Sequence, residues 1–70
     1  MNYNELKAEI FRKGLTIPKL AGLMGMSKKS LYARMNGQVP FTLEDIIKIA
    51  LILKLDANDI IRIFFAQKVS

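Results

Sequence analysis

Apolar positions recur along the chain at helical spacing, in short runs punctuated by glycine, proline and capping residues. Tyr3, Leu6 and Ile10 share one face of a first helix, and Asn2 with Glu5 has the spacing of a capping box ahead of it. Gly14 suits the left-handed residue that ends this helix. Thr16 is a good N-cap for a second helix, where Pro18 is tolerated because the first turn has N–H groups to spare. Ile17, Leu20, Ala21 and Met24 fall at i, i+3, i+4 and i+7 and predict its core-facing stripe. Gly25 stops that helix, and Ser27 caps a third only two residues later. This third helix runs to about Asn36 with Leu31 and Met35 on one face, and Gly37 and Pro40 bar its continuation. Thr42 with Asp45 predicts a fourth helix that buries some of Ile46, Ile49, Ala50 and Leu53. Asp56 with Asp59 predicts a fifth, carrying Ile60, Ile61, Ile63, Phe64 and Phe65. No alternating strand pattern between hairpin turns is present. The expected fold class is all-α, with five short helices in one domain over residues 1–70.

The turn between helices two and three is too tight for an antiparallel hairpin, and it contains glycine. That spacing predicts a helix-turn-helix, whose second helix lies across the first. Ala21 is small where a neighbouring helix comes close, and Gly25 accepts the positive φ of a sharp turn. Small residues and glycine caps also occur in any helical bundle.

Charge sharpens the picture. The net charge of +5 resides in residues 1–40, where Lys7, Arg12, Lys13, Lys19, Lys28, Lys29 and Arg34 face only Glu5 and Glu9, while residues 41–70 balance. No acidic residue lies between Ile10 and Leu43. Such asymmetry points to an anionic partner, nucleic acid or a membrane surface, although solubilising charge has the same look. Lys28 and Lys29 occupy the first turn of helix three, and Lys19 that of helix two. Each cation there costs about 0.3–1 kcal/mol against the helix dipole. Helices four and five obey the ordinary rule with Glu44, Asp45 and Asp59, so the exceptions suit phosphates and guanine acceptors. The competing explanation is accident, since exposed lysines are common.

Cysteine and histidine are both absent. Disulfides, thiolate sites and the commonest general base are thereby excluded, and neither a nucleophile–base pair nor a phosphate loop appears. The expectation is no enzyme, no metal, no cofactor and no small-molecule substrate. Asn2, Asn4, Glu5 and Lys7 interrupt any signal-like apolar run, and the longest apolar stretch, Ile49 to Leu53, is far too short to span a bilayer. A soluble, cytoplasmic protein without membrane association is expected.

From Gly14 to Phe64 the chain resembles the Cro and lambda-repressor-type helix-turn-helix family. The resemblance is carried by Gly14-Leu15-Thr16, Leu20-Ala21, Gly25-Met26-Ser27, Ser30-Leu31, Asn36-Gly37, Pro40 and Ile49-Ala50 through Leu53. The run Ser30 to Gly37, with Phe41-Thr42-Leu43 and Ile63-Phe64-Phe65, is similar to small phage and prophage regulators. The resemblance implies a repressor-like protein that binds double-stranded DNA, with recognition helix 28–36 in the major groove. Lys28, Lys29 and Tyr32 then fall at bases, and Thr16, Lys19, Ser27, Ser30, Arg34, Asn36 and Gly37 at the DNA backbone. Two positions depart from the family. Ile17 replaces a glutamine that often holds the backbone, and Arg34 stands at a frequently apolar site, with Met35 taking the packing role one residue later.

Helix five is richer in large apolar groups than packing requires. With Ile60 and Phe64 inward, Ile61 and Phe65 lie on an outer stripe, the mark of an interface and here of a possible homodimer. The same surface supports an alternative, a protein-interaction module of antirepressor or antitoxin kind. Met24, Met26 and Met35 around the turn read as core filler rather than as an adaptable binding surface.

Overall fold

A computed structural model of the chain describes residues 1–65. The expected domain over residues 1–70 therefore includes five residues, 66–70, that lie outside the described part. Among the described residues the protein is all-helical: α1 (Tyr3–Arg12), α2 (Ile17–Met24), α3 (Lys28–Met35), α4 (Leu43–Leu53) and α5 (Ala57–Ile60), the last continued by a π-helical turn over Ile61–Phe65. None of these helices is long and apolar enough to cross a membrane.

Local capping sets the starts. The side chains of Asn2, Thr16, Ser27, Thr42 and Asp56 each accept the N–H three residues on, which satisfies a donor the helix itself leaves unpaired. At α4 and α5 the box is reciprocal, with Asp45 and Asp59 returning a bond to the cap. The expected box at α1 forms only by half. The Asn2 N–H donates to the Ile63 carbonyl at 2.8 Å, and the Glu5 carboxylate pairs with Arg62. A tertiary contact has displaced the local one.

The buried stripes meet in one core of Leu6, Ile10, Leu20, Leu31, Ile49, Leu53 and Ile63, all without solvent exposure, closed by Met24, Met35 and Phe64. Phe41 packs edge-on against Phe64, ring centres 6.0 Å apart. Helix α2 packs against both α3 and α4, and α1 docks on the π-helical turn. That docking is held by charge as well. Arg62 reaches Glu5, Glu9 and Asp59, and the nearly buried Glu9 also takes Arg12. The Asp59 bond keeps the Arg62 guanidinium above its ordinary pKa. The fifth helix thus departs from the single regular helix expected through Phe65. Its wider turn buries the adjacent Ile63 and Phe64 together while Arg62 stays at the surface.

Helix α4 ends on Lys54 at φ 55°, a left-handed residue that is not glycine. Left-handed backbone costs an L-residue roughly 1–2 kcal/mol, partly offset by the freedom a glycine has when unfolded. Lys54→Gly is accordingly expected to stabilise the protein by about 0.5–1 kcal/mol. A rise in the urea midpoint with unchanged slope is the readout; an unchanged or lower midpoint rejects the account.

Candidate nucleic-acid interface

Helix α3 begins on Ser27, whose Oγ accepts the Ser30 N–H at 3.1 Å and donates to the Ser30 hydroxyl at 3.0 Å. Two residues earlier Gly25 takes φ 75°, closing α2 in the left-handed conformation that lets the chain turn at once into α3. Leu31 and Met35 bury one side of α3 in the core. Lys28, Lys29, Tyr32 and Asn36 are exposed to water. Positions 28, 32 and 36 follow one another at single-turn spacing, so the exposed stripe carries the two ammonium groups first, then the phenol, then the amide.

The first turns of α2 and α3 hold no acidic residue. Among the described residues neither Lys19, Lys28 nor Lys29 forms an ion pair. Lys19 is exposed on the helix that packs against α3, just after the Thr16 cap that accepts its own N–H at 3.3 Å. Beyond α3, Asn36 and Gly37 are exposed, with Gly37 at φ 79°. A Cβ on Gly37 would stand 3.2 Å from the Tyr3 hydroxyl, so this loop is backed by α1.

Arg34 lies apart from that stripe. Its Nε donates to Asp45 Oδ2 at 3.0 Å and its Nη1 to the Ser30 carbonyl at 3.1 Å, joining α3 to the start of α4. Asp45 in turn accepts the Thr42 N–H at 3.0 Å. Burial by itself raises the Asp45 carboxyl, but the Thr42 N–H and then Arg34 more than reverse that, leaving it below its ordinary value. No local rule in the sequence pairs Arg34 with Asp45, 11 residues away, so sequence reasoning missed this contact. The two outer residues of the last helix, Ile61 and Phe65, are exposed as expected, but they belong to a separate surface. Phe65 lines a groove with α4, whereas Ile61 does not. Sequence reasoning missed the α4 side of that groove, where Leu43, Ile47 and Leu51 stand exposed.

Among the described residues no group of three or more Asp, Glu, His or Cys side chains is placed to hold a metal ion. What the α3 side can do is ionic and hydrogen-bonding: two long cations, a phenol and an amide offered together on a helix whose back is fixed in the core.

No curated protein and no solved structure matches the chain. Over residues 1–67, nearly the whole length, it matches the family described as protein of unknown function (DUF739), and the chain belongs to that family.

Proposed function

We propose that the protein is a sequence-specific double-stranded-DNA-binding regulator of the Cro and lambda-repressor type. In this reading α2 and α3 act as a helix-turn-helix, and α3 enters the major groove with Lys28, Lys29 and Tyr32 at base edges. The observation that supports it most is the pair of exposed ammonium groups on the first turn of α3, without a carboxylate partner among the described residues. Placed against the positive end of the helix, they lower the stability of the isolated protein. Phosphates and guanine O6/N7 atoms are the acceptors that reverse this cost. Thr16, Lys19, Ser27, Ser30, Asn36 and Gly37 supply backbone contacts around the same helix. Arg34 fixes α3 on α4 through Nε and Nη1, which leaves Nη2 as the donor it can offer a phosphate.

The test is selection of bound sequences from random duplexes at physiological salt. Enrichment of one motif, with affinity falling steeply as salt rises, is the expected result. Affinity equal for every duplex rejects sequence reading, and no affinity rejects the whole proposal. A second reading, a module that binds another protein in the manner of an antirepressor or antitoxin, draws on the exposed apolar surface around Phe65. Partner binding that survives loss of Lys28 and Lys29, with no duplex affinity, favours it.

A further inference from the structure

Helix α4 is apolar almost all round, and only part of it is needed inside. Ile49 and Leu53 are fully buried, while Leu43, Ile47 and Leu51 are 70%, 52% and 73% exposed. Phe65, 57% exposed, continues this surface across an open groove of about 440 Å³ between α4 and the last turn. Together the four side chains present on the order of 400 Å² of apolar surface, within the range at which a patch on a monomer is commonly functional. Interfaces are about 57% apolar, so such a patch corresponds to roughly 700 Å² per copy, close to the ~800 Å² of a standard interface.

The charges beside the stripe say what covers it. In an α-helix Leu43 and Leu51 each lie about 40° from Ile47 about the axis, on opposite sides of it. Glu44 and Lys48 both fall on one flank, about 60° and 100° from Ile47, and Ile46 and Ala50 fall on the groove flank. Suppose two α4 helices pair antiparallel about a two-fold axis at Ile47. Leu43 then sits level with the partner's Leu51, and Glu44 comes within about 3 Å, measured along the axis, of the partner's Lys48 on the same flank. The pairing forms twice by symmetry; against these two attractions stands one approach of like charge, Lys48 to the partner's Lys48, at the same axial spacing, and each Lys48 is also held 3.5 Å from its own Glu44. The partner's Leu43 arrives beside Ala50, whose small side chain leaves the groove open. Asp45, which holds Arg34 of α3, is on the far side of α4 from Ile47, so the α3 side stays uncovered.

We infer that this α4 face is the docking surface for a second copy of the chain, through an antiparallel α4–α4 contact centred on Ile47 and rimmed by Glu44–Lys48 pairs. It moves the centre of the self-association surface from Ile61 and Phe65, the positions read from the sequence, to α4, with Phe65 at its edge. The inference is independent of DNA binding.

Sedimentation equilibrium of the full chain without DNA, from about 1 µM to 1 mM, tests it. A monomer–dimer equilibrium is expected. Ile47→Glu, at an exposed position that meets its own copy on the axis, should weaken the dimer at least ~100-fold with thermal unfolding unchanged at low concentration. Lys48→Glu should weaken it by a smaller factor, and Glu44→Lys with Lys48→Glu should recover most of that loss. A chain monomeric throughout, a dimer untouched by Ile47→Glu, or a charge reversal that restores nothing overturns the inference. The first result leaves the groove to residues 66–70 or to a different partner.

Discussion

Replacing both Lys28 and Lys29 with alanine is expected to remove about 1–3 kcal/mol of operator preference for each lysine that reads a base, and to flatten the salt dependence of binding by about one counterion per lysine. The same substitutions should make the free protein more stable, not less. Each removes a cation from the first turn of α3, a position that costs about 0.3–1 kcal/mol. Both side chains are exposed, so no packing is lost. Affinity and melting temperature therefore move in opposite directions, a pattern that damage to the fold cannot produce. Titration of labelled duplex at two salt concentrations, beside thermal melts of the free protein, reads both. Should the loss be equal for operator and random duplex, the lysines act on phosphates only. Should binding be unchanged, α3 is not the contacting helix.

Asp45→Ala is expected to have the largest effect on folding, a loss of about 2–4 kcal/mol. It deletes the acceptor of the Thr42 N–H, one half of the α4 box. It also strips Arg34 of its carboxylate at a position four-fifths hidden from solvent. A domain of this size holds about 3–5 kcal/mol in all, so the variant should be largely unfolded at moderate temperature. Arg34→Met combined with Asp45→Asn should be far milder, because neither charge is then left stranded. Acid acts through the same group. The Asp45 carboxyl is held below its ordinary value, so its contribution is complete above about pH 4 and is lost as the pH falls through the lowered value. Asp59, lowered by the Asp56 N–H and then by Arg62, works in the same direction. Urea midpoints between pH 6 and pH 2 should fall steeply only at the acid end, and less so in the Arg34→Met, Asp45→Asn protein. An identical acid profile for the two proteins rejects the assignment to Asp45.

Much of the architecture was legible before any coordinates, because it rests on contacts within one turn. A cap bonds three residues ahead, a glycine turns the chain where it stands, and a core stripe repeats every three or four positions. The starts at Asn2, Thr16, Ser27, Thr42 and Asp56, and the burial of Leu20, Met24, Leu31 and Met35, follow from such local rules. So does the exposed placement of Lys28 and Lys29 in the first turn of α3. Partners distant along the chain were not legible. Arg34 and Asp45 are 11 residues apart and Arg62 and Glu5 are 57 apart, and no spacing rule links such positions.

Where each helix begins, which of its faces is apolar and the gathering of positive charge ahead of α4 are all written in the order of the residues. Packing settled how much apolar surface of α4 stays uncovered: the face read as inward buries Ile49 and Leu53, but no neighbouring helix among the described residues covers Leu43, Ile47 and Leu51 on the other side. It also decided the fate of the charged residues. Arg34 became a strut when α4 brought Asp45 beside it, and Glu5 left its helix cap for Arg62 when the Ile61–Phe65 turn packed on α1. Local propensity acts over one turn of backbone, while the choice among equivalent faces and partners waits on what packs against them.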